Sequence, residues 1–109
     1  MTLDEFRATL ADTHPPDVAP ALVALWHDAH GDWGKAHGVA QDVDEENGSW
    51  VHAYLHRKEG DLGNAGYWYR RARRPVEDGS LNVEWNAIVV ALLAAAAKQR
   101  SGREPGPSA

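Results

Sequence analysis

The sequence contains no cysteine, and this absence excludes disulfides, thiolate zinc sites and cysteine nucleophiles. The first ten residues, MTLDEFRATL, lack an apolar run of signal-peptide length. The longest apolar stretch, residues 87–97, is about half as long as a membrane-spanning helix requires. We therefore expect a cytoplasmic protein that does not enter a membrane.

Positive charge is scarce relative to negative charge. The net charge is −5 at pH 7 and the isoelectric point is near 5.6, whereas nucleic-acid-binding proteins gain much of their affinity by neutralising phosphates. The charges are also unevenly placed, because the acidic segment QDVDEENGS (41–49) contrasts with four arginines within residues 70–74. The net negative charge argues against a nucleic-acid partner.

The length of 109 residues predicts a single domain, which we place at residues 1–100. Residues 101–109, SGREPGPSA, are rich in Gly, Pro and Ser and are predicted to form a disordered tail. Apolar residues at helical spacing predict helices over residues 18–30 and 81–98.

Several helix starts are marked by residues that cap the first turn. Thr2 and Glu5 have the spacing of a capping box. Asp32 and Asp61 each follow a Gly that would end the preceding helix, so we read them as N-caps and not as catalytic carboxylates. Ser49 follows an Asn-Gly turn signal and predicts a helix that begins at residue 50.

The chain aligns with itself at an offset of 29 residues. In each copy an apolar helix ends at Gly, Asp follows, and a small residue stands where two helices must approach closely. The identical positions are Ala24, His27, Gly31, Asp32, Gly34 and Ala36, which fall on Ala53, His56, Gly60, Asp61, Gly63 and Ala65. The repeat predicts an all-α fold of five or six helices, in which two tandem helix-turn-helix hairpins, at 18–43 and 49–75, are flanked by terminal helices.

The second hairpin resembles known helical repeats. Its ending is similar to that of Sel1-like repeats at Asp61, Ala65, Trp68, Tyr69 and Ala72. It also resembles tetratricopeptide repeats at their small and aromatic positions, which are Ala53, Gly60, Ala65, Tyr69 and Ala72. Residues 26–74 also look like a group of small uncharacterised bacterial proteins with an "AYLHRKEGDLGNAGYWYRRA" type of signature. The resemblance to tetratricopeptide repeats implies stacked hairpins and a protein-binding or peptide-binding role.

That resemblance implies that the first helix of each hairpin lines an inner face. In the second copy the face would present Trp50, Tyr54, Arg57 and Lys58. Two aromatic rings beside two cations suit an acidic peptide, because Arg can grip a carboxylate in two places. The alternative is that Trp50 and Tyr54 pack against the C-terminal helix.

In the second helix of this hairpin, a 3-4-3 spacing predicts that Leu62, Ala65, Tyr69 and Ala72 face the core.

A second hypothesis concerns histidine. His52 and His56 share a helix face with Glu59, and His27 could join them if the hairpins stack, which would give a metal- or anion-binding enzyme or sensor. The sequence has no G-x-S-x-G, P-loop or metalloprotease His-Glu-x-x-His motif, so an enzyme is less favoured than a binding module, and histidines without a ligand are the simpler alternative. No cofactor is expected.

A third hypothesis is a structural subunit that forms a homodimer through an exposed stripe on its last helix. That stripe would comprise Ile88, Leu92 and Leu93.

Overall fold

The computed structural model describes residues 1–102, with side chains described as far as Lys98. Six α-helices account for most of these residues, and no strand occurs among them. They are α1 (Leu3–Ala8), α2 (Pro20–Ala29), α3 (Trp33–Gln41), α4 (Glu46–Glu59), α5 (Leu62–Arg71) and α6 (Leu81–Gly102), and a short 3-10 helix, Thr9–Ala11, follows α1. The all-α prediction is confirmed.

Two hairpins, α2–α3 and α4–α5, are built around equivalent turns. Gly31 and Gly60 end the first helices with φ of 79° and 93°, a region that side chains with a Cβ rarely adopt. Asp32 and Asp61 then cap α3 and α5, because each carboxylate accepts the backbone N–H three residues further on, at 3.1 and 3.2 Å. The N-capping role predicted for these two aspartates is confirmed.

The start of α4 differs from the prediction. The helix begins at Glu46, and the N–H of Ser49 donates to the carbonyl of Glu45 at 3.0 Å within the first turn, so Ser49 is not the cap. Gly48 is helical and lies so close to Val43 that a Cβ would overlap the Val43 carbonyl oxygen. The prediction was wrong because this glycine serves close packing instead of a turn, while acidic residues at the helix start suit the macrodipole.

α4 lies at the centre of the fold, where it contacts α2, α3, α5 and α6. The core between α2, α4 and α6 contains Leu25, Leu55 and Ile88, all with no measurable exposure. Phe6 of α1 closes one end, with its ring centroid 5.9 Å from that of Trp85 in α6. The second helices of the two hairpins, α3 and α5, both pack against α4.

α6 is long and apolar enough over Leu81–Lys98 to cross a membrane, judged by length and composition alone. In this fold it buries Glu84 and Trp85, and the Trp85 ring donates an N–H to the Leu25 carbonyl at 3.1 Å. These contacts pack the first turns of α6 against the two hairpins, and 28% of the window Leu81–Lys98 is buried. α6 continues to Gly102, two residues into the predicted tail, and residues 103–109 lie outside the described part of the chain.

The predicted core stripe of α5 is confirmed in part. Ala65, Tyr69 and Ala72 are buried, but Leu62 is 69% exposed. Leu62 is the first residue of α5, and its side chain leans back over the turn, where α4 has already ended.

Candidate metal centre

Three histidines converge at the junction of the two hairpins. His37 of α3 and His52 and His56 of α4 each offer a ring nitrogen within 4.8 Å of the other two. The Nε2 atoms of His37 and His52 are 2.8 Å apart, at hydrogen-bonding distance. We refer to His37, His52 and His56 as the histidine cluster.

The helices bring these rings together through simple register. His52 and His56 are one turn apart on α4, and their ring centroids lie 4.8 Å apart with planes inclined by 22°. His37 reaches them from α3, which packs against α4 across the boundary between the hairpins. The histidine cluster therefore joins the first hairpin to the second.

Two tryptophans stack on rings of the histidine cluster. Trp33 stacks on His37, with centroids 4.8 Å apart and planes inclined by 13°, and Trp68 stacks on His52 at 3.9 Å and 12°. Trp33 is itself anchored because its N–H donates to the Leu55 carbonyl at 2.8 Å. Ring planes fixed in this way reduce the freedom that the imidazoles would lose on binding an ion.

The electrostatic surroundings favour neutral imidazole. Burial, with the neighbouring His37 and His56 as secondary causes, lowers the pKa of His52 to about 4. Burial also lowers the pKa of His37, and nearby His56 acts in the same direction. Imidazole ligates metals in its neutral form, so His37 and His52 are in the protonation state that ligation requires.

His56 is oriented by a carboxylate. Its Nδ1 lies 2.7 Å from a carboxylate oxygen of Glu59, an arrangement in which Nδ1–H donates and Nε2 carries the free lone pair. The amide nitrogen of Asn64 is 3.4 Å from this Nε2, a long contact from an exposed side chain. Carboxylate–histidine pairs of this kind commonly support a metal ligand by fixing its tautomer.

A second convergent group includes the same histidine. His56, Glu59 and Asp61 also have ligand atoms within 4.8 Å of one another. One oxygen of Asp61 already caps α5, and both carboxylates are exposed. This group is more simply explained as the carboxylate support of His56 beside a helix cap.

His27, the third predicted ligand, does not reach the histidine cluster. It lies half-buried on α2, edge-on to Trp26 with ring centroids 5.3 Å apart. Burial lowers the pKa of His27, with nearby Lys35 as the next cause. The prediction placed His27 beside His52 and His56 on condition that the hairpins stack, and the groups of potential metal ligands among the described residues do not include His27.

His37 takes the place predicted for His27, and sequence reasoning missed it. Position 37 corresponds to Gly66 in the second copy, so the repeat alignment gave it no partner. The available signal was its spacing from Trp33 and Ala36, which puts it on the buried side of α3.

The residues predicted to line an inner face are engaged within the chain. Trp50 and Tyr54 are 7% and 3% exposed. Arg57 pairs with Glu84 of α6 at 2.8 Å, and Lys58 pairs with Asp28 of α2 at 2.8 Å. α6 lies over this side of α4. Trp50 therefore packs against the last helix, as the alternative in the sequence analysis expected.

Glu84 is the centre of a buried polar network. The carboxylate accepts hydrogen bonds from Trp50 at 3.2 Å and Tyr69 at 2.6 Å, besides the ion pair with Arg57. A similar contact joins Tyr54 to Asp28 at 3.0 Å. Burial, with the adjacent carboxylates as further causes, raises the pKa of Tyr54 and Tyr69 well above the ordinary value. The phenol groups of Tyr54 and Tyr69 therefore remain neutral, and their hydrogen bonds hold the helices together.

The predicted dimerisation stripe on α6 is not exposed. Ile88 and Leu92 are 0% and 5% exposed, and Leu93 is half-buried. The stripe faces α2 and α4, because a helix that closes two hairpins uses its widest apolar face inward.

Comparisons with known proteins add no relative. No protein-family model matches the chain, and no significant match occurs among curated proteins or solved structures. The resemblance to Sel1-like and tetratricopeptide repeats therefore stays a prediction.

Proposed function

We propose that this protein binds one divalent transition-metal ion of the Zn²⁺ class through His37, His52 and His56. The observation that carries the proposal is the convergence of three imidazole nitrogens within 4.8 Å at the hairpin junction. Three nitrogen ligands leave one position of a tetrahedral ion open to water or another exchangeable ligand.

The separation of His37 and His52 suits such an ion after a small adjustment, and the remaining separations, which lie within 4.8 Å, would have to close onto the ion. Zinc–nitrogen bonds of about 2.0–2.1 Å at tetrahedral angles separate neighbouring nitrogens by about 3.3 Å. The Nε2 atoms of His37 and His52, 2.8 Å apart, need to open by only about half an ångström. An all-imidazole set favours Zn²⁺, Cu²⁺, Ni²⁺ or Co²⁺ over Mg²⁺ and Ca²⁺, which prefer oxygen.

The ion would act as a clamp between the hairpins. His37 belongs to the first hairpin, and His52 and His56 belong to the second. Binding would therefore stabilise their packing, which suits a protein whose state reports metal availability. A ligand at 100 times its dissociation constant stabilises a fold by about 2.7 kcal/mol, which corresponds to about 10–20 °C in melting temperature for a domain of this size.

Thermal unfolding with Zn²⁺ and with Mg²⁺ tests the proposal. We expect Zn²⁺ to raise the melting temperature of the wild type and of His27→Ala, and Mg²⁺ to leave it unchanged. His37→Ala should lose the Zn²⁺ effect, since it removes a ligand from a half-buried position. An equal Zn²⁺ effect in His27→Ala and His37→Ala would contradict the proposal.

Acidic-peptide binding at Trp50, Tyr54, Arg57 and Lys58 stays a prediction. It would require α6 to leave α4, because α6 covers the side on which Trp50 and Arg57 lie. Of the four side chains, Lys58 offers the most surface, at 38% exposure.

A further inference from the structure

The C-terminal half of α6 forms one wall of an open cleft of about 450 Å³. The floor is apolar and includes Leu92 and Ala95 of α6, Val39 of α3 and Val43 of the loop between α3 and α4. Apart from Leu92, these residues are only half-buried. The cleft lies away from the histidine cluster and shares no residue with it.

One rim of this cleft is negatively charged. Asp42, Asp44 and Glu45 line it from the loop between α3 and α4, and all three are exposed. None of them forms an ion pair with a side chain that the structure describes. An apolar floor with an acidic rim fits an apolar helix that carries positive charge near one end.

α6 itself has this chemistry. Residues 94–97 are all Ala, and the exposed Lys98 follows them. We propose that the cleft binds α6 of a second copy, in an antiparallel two-fold dimer. Each copy then supplies both a helix and a cleft, which is the self-complementary contact that two-fold symmetry requires.

The register of this pairing follows from helix geometry. With the two-fold axis near Ala95, Lys98 of one copy lies beside Leu92 of the other, since each is three residues, about 4.5 Å of helical rise, from the axis. Leu92 lines the same cleft as the acidic rim, so this register brings the ammonium group of the second copy into that cleft. Alanine at the crossing allows the helix axes to approach to about 8 Å. Apolar burial then drives association, and charge sets the register.

Sedimentation equilibrium of the full chain, in buffer with a metal chelator, tests the dimer independently of metal binding. We expect the wild type to associate to twice its mass of 11.9 kDa. Asp42→Lys/Asp44→Lys and Lys98→Glu should each weaken dimerisation by about tenfold or more, because each reverses two symmetric contacts. Asp12→Lys/Asp78→Lys is the control for Asp42→Lys/Asp44→Lys, because it changes the net charge by the same amount at exposed positions outside the cleft. We expect this control to dimerise like the wild type.

The decisive experiment mixes Asp42→Lys/Asp44→Lys with Lys98→Glu. In the heterodimer, the lysine-substituted rim meets the carboxylate introduced at position 98, and the native rim meets the native Lys98. Recovery of wild-type association in the mixture supports the antiparallel register. A monomeric wild type, a dimer that neither variant weakens, or a mixture no tighter than the separate variants would each overturn the proposal.

Discussion

Removal of the Arg57 guanidinium should destabilise the fold strongly. This group donates to Glu84 at 2.8 Å, and the carboxylate it neutralises is only 2% exposed. After Arg57→Ala, the carboxylate would keep the two neutral donors Trp50 and Tyr69 but lose its cation. A buried charge without its partner is far less stable than the same charge in water.

The magnitude follows from this burial. Breaking a buried ion pair by removing one partner costs about 3–5 kcal/mol, out of a total stability of about 5–15 kcal/mol. The melting temperature should fall by about 15 °C or more. Arg73→Ala is the matched control, because Arg73 pairs with Glu46 at 3.1 Å with side chains 82% and 59% exposed. We expect it to cost less than about 1 kcal/mol.

Urea denaturation followed by circular dichroism measures both losses. The double variant Arg57→Met/Glu84→Gln should recover part of the loss, since it removes the buried charge together with its partner. A loss for Arg57→Ala no larger than that for Arg73→Ala would refute the idea that this network holds α6 on α4.

Three further predictions concern the helix cap, the tyrosines and the carboxylate that supports the histidine cluster. Arg73 has φ of 58° at the end of α5, so Arg73→Gly should be about 1 kcal/mol more stable than Arg73→Ala in urea denaturation; equal stability would contradict this strain. The raised pKa values of Tyr54 and Tyr69 keep both neutral in the folded state, so stability should fall as pH rises above the ordinary value of 10.0. The Tyr67→Phe variant keeps only Tyr54 and Tyr69 as tyrosines, so its tyrosinate absorbance should appear at the same pH as the loss of helical dichroism. Tyrosinate absorbance at a pH below that of unfolding would contradict their burial. Glu59→Gln should weaken Zn²⁺ binding by about 10- to 100-fold in calorimetric titration, and unchanged affinity would remove Glu59 from the site.

The hairpins were predictable because local chemistry determines them. A Gly that adopts positive φ, followed by an Asp that caps the next helix, specifies the turn almost without tertiary context. The two copies repeat this signal at Gly31 and Gly60, and both turns are present. The start of α4 was not predictable in the same way, because the role of Gly48 depends on its contact with Val43.

The candidate site was half predictable for a related reason. His52 and His56 share a face through helical spacing alone, which sequence shows directly. The partner that completes the cluster, His37, comes from another helix, and its approach depends on how α3 packs on α4. Sequence spacing also could not predict which side of α4 is covered by α6, because that depends on tertiary packing.

Calorimetric titration of metal-free protein with Zn²⁺ tests the central claim most directly, with His37→Ala and His27→Ala measured beside the wild type. We predict one ion per chain for the wild type and for His27→Ala, and an affinity at least about 100-fold weaker for His37→Ala, because a lost ligand should cost no less than a lost supporting group. No binding by the wild type, or equal binding by both variants, would contradict a metal centre at His37, His52 and His56.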